Sequence, residues 1–245
     1  MPIIDAERVE VEVDAALVAF VAALPEALRA ALAEGLAGAR GEGLADARGE
    51  GLAEGHPELR TALGAALAVA EAAWPEVRVD RGGFAAALAR RLPAGQPVLA
   101  GLASLDVAGL YLAHACVLGD AKAQARFDAC CVADLDAALH TVGVPDGQIA
   151  EAKQRVRHKL LVAGADGPPR LASYAGRGDL RGFVRVVAVR EGVDLRRQGT
   201  RRAAHEVPTG DDELERATVG EDPELLMIKD GHRAALREAF AAALA

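Results

Sequence analysis

The chain has 245 residues, 51% of them apolar, with 3% aromatics and a formal net charge of −8. That is enough apolar material for a core, and the excess of Ala and Leu over β-branched and aromatic residues favours helices over sheets. No run of about 18 uncharged apolar residues is present, so no membrane span is expected. The opening MPIIDAERVEVEVD is acidic where a secretion signal would be basic and then apolar. The chain is therefore read as all-α and cytoplasmic.

Residues 1–33 form an N-terminal helical segment: DAALVAFVAALPEALRAALAEG repeats its apolar residues at helical spacing, and Pro25 breaks the pattern. Residues 34–57 contain an octapeptide in three copies, EGLAGARG, EGLADARG and EGLAEGHP. Each glycine weakens a helix by about 1 kcal/mol, and a period of eight fits neither a heptad nor an eleven-residue repeat. This stretch is read as loosely ordered. Residues 58–97 return to helix in ELRTALGAALAVAEAAW and GGFAAALARRL, then end in the linker LPAGQP.

Residues 98–198 read as one helical domain. DVAGLYLAHACVLG is its first clear helix, and DAKAQARFDACCVADLDAALHTV its second, with Asp120 as N-cap. VPDG makes a turn, QIAEAKQRVRHKLLVA a third helix and GADGPPR a loop. DLRGFVRVVAVREGVDLRRQ is a fourth helix with Asp179 at its cap. FVRVVAV alone would also suit a strand, but the pattern runs on to Arg197, too far for an ordinary one. Residues 199–223 are polar and acidic and read as a flexible linker. Residues 224–245 read as a last helix.

Several chemistries are expected to be absent. Cys116, Cys130 and Cys131 are odd in number, and with His114 and His140 nearby they still contain no CxxC pair. They read as buried thiols, with no metal and no cofactor. There is no GK(S/T) phosphate loop, HExxH or GxSxG, and Gly176-x-Gly178-x-x-x-Gly182 misses the dinucleotide fingerprint by one position. No enzymatic activity is expected.

Charge is the most uneven property of this chain. From Lys153 to Arg202 there are thirteen basic residues against four acids, a local net of +9 that leaves −17 for the remainder. Such polarity points to a directed anionic partner, or else to a solvated basic face paired with the acidic remainder of the chain. On a helix, Leu180, Phe183, Val184 and Val187 share one face, with Arg181, Arg185 and Arg196 on an adjoining stripe. Val186, Val189 and Val193 make a second apolar strip, and Arg190 and Arg197 lie together on another edge. Two apolar strips predict a helix packed on more than one neighbour, with arginines emerging at the seams.

These residues resemble a bacterial sigma-70 factor of the extracytoplasmic-function type, in a divergent form associated with myxobacteria. The family's promoter-reading helix follows W-L-x-x-I-A-x-N-x-A-x-D-x-x-R. Here Phe183 takes the Trp place, Val184 the Leu and Val187 the Ile, while Ala188 matches the first Ala. Arg190 replaces the Asn and Gly192 the second Ala, and Asp194 and Arg197 match. Upstream, LYLAHACVLGDAKAQARF is similar to the family's first conserved helix pair, with Gly119-Asp120 at its Gly-Asp. AEAKQRVRHKLL resembles the polymerase-docking helix A-x-D-x-x-Q-x-x-F, with Glu151 for the Asp, Gln154 matching and Arg157 for the Phe.

The likeness implies a sigma region 2-like domain over residues 98–198 that binds core RNA polymerase at its beta-prime clamp, recognises the promoter −10 element and helps open the duplex. An anti-sigma factor is a further partner the family implies. Tyr174, Arg177, Arg181, Arg185, Arg190, Arg196 and Arg197 would then meet promoter DNA, and Glu151, Gln154, Arg155 and Lys159 the polymerase. Tyr174 is expected as an exposed aromatic in the ASYAGRGD loop, stacking on a flipped base, while Phe183 is expected in the core. EVPTGDDELERATVGEDPE reads either as the family's acidic, nucleic-acid-mimicking linker or as a spacer. The final helix would be the start of a truncated region 4. The alternative reading is a helical interaction or regulatory module that binds polymerase or another protein without reading promoters.

Overall fold

The structure, a computed structural model, describes residues 6–40, 56–164 and 167–206. It is all-α: among the described residues the only β-type pairing is an isolated bridge between Gly164 and Gly167. No single described helix is long and apolar enough to cross a membrane. The described residues divide into two compact units, one within residues 6–130 and 159–180, the other within residues 131–158 and 181–206. The division runs through the span 98–198.

The first unit begins with α1 (Ala6–Ala23) and α2 (Glu26–Arg40). Ala16, Leu17, Phe20, Val21 and Leu24 are buried, the helical spacing the sequence shows. Pro25 separates the helices, and its carbonyl accepts the first bonds of α2 from Leu28 and Arg29, each at 3.0 Å. The first octapeptide copy, expected as loosely ordered, is helical as far as Arg40. Extending an existing helix costs far less than nucleating one, so Ala, Leu and Arg outweigh the glycines there. Residues 41–55, with the second copy and most of the third, lie outside the described residues.

In α3 (Pro57–Ala73), Pro57 occupies the first turn, where a missing N–H costs nothing, and Leu59, Leu63, Leu67 and Ala70 line one buried face. The next helix, α4 (Arg81–Ala89), is capped by Asp80, whose carboxylate accepts from Gly83 N at 2.6 Å. Its run of small buried alanines lets α1 pack along it. Arg81 donates to both carboxylate oxygens of Glu71 at 2.7 Å, a bidentate pair that holds its guanidinium protonated more firmly than usual. After α5 (Val98–Ala103) comes α6 (Val107–Val117), buried nearly all round and therefore the central helix of this unit. Tyr111 meets Phe84 edge to face at 5.0 Å. Asp120 caps α7 (Ala121–Phe127), accepting from Ala123 N at 2.8 Å as the sequence predicts.

The helix expected from Asp120 to Val142 is not continuous. After α7 come a π-turn (Asp128–Val132) and a 3₁₀ turn (Ala133–Leu135), with Asp134 at φ −91°, ψ 17°. The second unit takes over inside this break. Its helices are α8 (Asp136–Thr141), α9 (Asp146–Leu161) as far as His158, and α10 (Leu180–Glu206) from Arg181 onward. Gly143, at φ +78°, makes the turn out of α8. Helix α10 starts directly after Asp179, as expected, but runs beyond Gln198 to Glu206. The linker expected from residue 199 is thus helical over its first residues. The rest of it, and the helix expected over residues 224–245, lie outside the described residues.

Candidate nucleic-acid interface

In the second unit, Val184, Val187, Ala188, Val189 and Leu195 of α10 are buried, and Val186 and Val193 are half-buried. The two apolar strips predicted for this helix are both at least half covered. Phe183, expected in the core, is only half-buried. Arg181, Arg185, Arg196 and Arg197 are exposed, and Arg190 is half-buried. Arg181 and Arg190 also interact within the chain, while Arg185 and Arg197 have no ion pair among the described residues.

The stripe Arg181–Arg185–Arg196 is interrupted. Between its second and third members lies Gly192, which is buried. A Cβ there would come within 2.8 Å of Val142 Cγ2 and 3.0 Å of Val144 Cγ2. The segment after α8 therefore lies across the stripe. Arg185 and Arg196, about 16 Å apart along the axis at 1.5 Å per residue, form two separate cationic points rather than one file. Arg196 also has a structural partner: its Nη1 donates to the Val142 carbonyl at 3.3 Å, at the C-terminal end of α8, where a cation is favoured.

On α9, Ala152 and Val156 are buried and Glu151 and Gln154 are exposed. Glu151 and Arg155 pair with each other across one turn at 2.7 Å, and Arg155 Nη1 donates to Gln198 Oε1 at 3.2 Å. Lys153 pairs with Asp136 and donates to the Ala133 carbonyl. An exposed i,i+4 pair contributes only about 0.3–0.5 kcal/mol, so Glu151 and Arg155 can be drawn into other contacts cheaply. Lys159, also exposed, belongs to the first unit.

Tyr174, in the first unit, requires a correction. It is 2% exposed, so its ring offers no face for a base to stack on. Its hydroxyl lies 2.7 Å from Asp106 Oδ2 and 2.7 Å from the Gly178 carbonyl, two acceptors that share one proton. Asp106 is the residue that sequence reasoning passed over, although it heads the predicted helix DVAGLYL. Its carboxylate caps α6 through Gly109 N at 2.9 Å and also accepts from Leu180 N at 3.3 Å. Arg91, equally unforeseen, donates through Nε to the Tyr174 carbonyl at 2.9 Å and through Nη2 to the Ala172 carbonyl at 3.2 Å. Burial, followed by the neighbouring charge of Arg90, lowers the pKa of Arg91 from the usual arginine range. Arg177 is exposed between Gly176 and Gly178, both at φ +72°.

The three cysteines are free, with Cys116 and Cys131 buried and Cys130 half-buried. No cluster of three or more His, Cys, Asp or Glu suited to a metal ion occurs among the described residues. The first unit also carries an apolar groove of about 660 Å³ lined by Leu28, Leu32, Leu59, Leu92, Val98 and Leu99 among others. No family model, curated protein or solved structure matches this chain.

Proposed function

We propose that the protein is a sigma factor of the extracytoplasmic-function type, which binds core RNA polymerase and engages and opens the promoter −10 element. The observation that carries this reading is α10: a helix with a valine-rich buried side that keeps Arg181, Arg185 and Arg197 exposed in a chain of net charge −8. Guanidinium groups on a packed helix neutralise phosphates from fixed positions and release counterions, which supplies affinity without sequence preference. Base identity then depends on other groups, and with Tyr174 buried it is not read by that ring. The exposed Glu151 and Gln154 and the half-buried Arg155 on α9 form a polar surface suited to a protein partner. Lys159, in the first unit, is a separate exposed cation.

In the test, the full chain is added to core polymerase with a template bearing a −10 element. Transcripts that depend on the added chain and on an intact −10 element are the expected result. Polymerase binding without such transcripts would refute the reading. The apolar groove of the first unit favours a second reading, a helical interaction module that binds a protein partner and reads no promoter. That module would bind its partner equally well after Arg181 and Arg185 are removed and would show no affinity for single-stranded DNA.

A further inference from the structure

We infer that Asp106 and Tyr174 are positioning residues that lock the segment from Ala172 to Leu180 into one conformation, so that Arg177 is held ready for single-stranded nucleic acid. This rests on the function proposed above and assigns a mechanism within the first unit alone.

The segment is held from every side. Asp106 binds it three times: its backbone N–H donates to the Gly176 carbonyl at 2.8 Å, and its Oδ2 accepts from the Tyr174 hydroxyl and from Leu180 N. The Tyr174 hydroxyl reaches across to the Gly178 carbonyl, closing a ring around Arg177. Arg91 fixes the carbonyls of Ala172 and Tyr174 from the other side. Gly176 is buried against Leu110, where a Cβ would lie 2.4 Å from Leu110 Cδ1, so only glycine fits at this close approach. Tyr174, Gly176 and Leu180 are buried, yet Arg177 between them is exposed. A long side chain on a flexible loop would lose backbone freedom on binding, at about 1–2 kcal/mol per residue ordered. On this segment that ordering has already occurred in the free protein.

The test uses the full chain and a fluorescent single-stranded DNA oligonucleotide carrying a −10-like sequence, titrated over a range of salt. Tyr174→Phe keeps the buried ring and removes only the hydroxyl. It is expected to weaken binding about tenfold, equivalent to loosening a few backbone bonds, while leaving the salt slope unchanged because no charge is lost. Arg177→Ala is expected to reduce that slope by about 0.7. The double variant is expected to bind no worse than Arg177→Ala, because Tyr174 acts through Arg177. Hydrogen–deuterium exchange of amides 175–179 should speed up in Tyr174→Phe. Asp106→Asn, whose amide can donate to the tyrosine oxygen while that hydroxyl serves Gly178, should restore slower exchange relative to Asp106→Ala.

Additive losses in the double variant, or binding by Tyr174→Phe equal to wild type, would overturn the positioning role alone. If the wild-type chain binds no single-stranded DNA, this role falls whatever the exchange data show about the loop, while the proposed function stands or falls by the transcription test with core polymerase.

Discussion

Replacing Arg181 and Arg185 together by alanine removes two exposed guanidinium groups one helical turn apart, about 6 Å along the axis of α10 at 1.5 Å per residue. Each phosphate contact adds about 0.7 to the salt slope on single strands and about 0.9 on duplex DNA. If each arginine serves one phosphate, the double variant should lose about 1.4–1.8 from the slope of log affinity against log salt. Between about 50 and 200 mM salt, wild-type affinity should therefore fall about tenfold further than that of the variant. Both positions are exposed and alanine suits a helix, so even with the contact Arg181 makes within the chain removed, stability should stay within about 1 kcal/mol of wild type. Fluorescence anisotropy at four or more salt concentrations, beside a urea melt, measures both quantities. Arg196→Ala is the internal contrast. It removes the bond to the Val142 carbonyl as well as a charge, so it should lose about 0.5–1 kcal/mol of stability. An unchanged slope in the Arg181 and Arg185 variant, with DNA still bound, would show that these arginines touch no phosphate and would refute the interface on α10.

Gly192→Ala puts a methyl group against Val142 and Val144. Although alanine is the better helix former, the overlap should outweigh that gain and give a net loss of about 1 kcal/mol by denaturant melting. His114 packs beside the Phe84 ring, and its burial, followed by the charges of Arg91 and Arg90, holds its pKa below the usual histidine value. The unfolded chain therefore takes up a proton first as pH falls. The associated stability is full above about pH 6.5 and is lost as pH drops from there through the lower pKa of the folded state. The thermal midpoint should be lower at about pH 5.5 than at about pH 7.5, and His114→Gln should narrow that gap.

The elements legible in the sequence were those governed by local chemistry. Pro25 ends one helix and starts the next because it lacks an N–H, and Asp120 caps α7 with its own carboxylate. Apolar spacing in α1, α3 and α10 marked the faces that are buried. The break at residues 128–135 was not legible, since DACCVADL contains no glycine or proline and each of its residues tolerates a helix. The extension of α10 to Glu206 was missed for the opposite reason. GTRRAAHE reads as polar linker by composition, yet a helix already formed continues through Arg and Ala at little cost.

The candidate interface divides in the same way. Sequence alone determined which residues carry the positive charge, and that most of them share a helix with valines, because composition and a 3.6-residue period are local properties. Only the tertiary structure decided which of those groups face water. Tyr174 sits among glycines and polar residues that suggest an exposed loop, but it is buried, and its hydroxyl meets Asp106, 68 positions away. The arginine stripe is divided at Gly192 by Val142 and Val144, about fifty residues earlier in the chain. Charge is written residue by residue, whereas exposure depends on which distant segment comes to lie on top, and no local pattern encodes that.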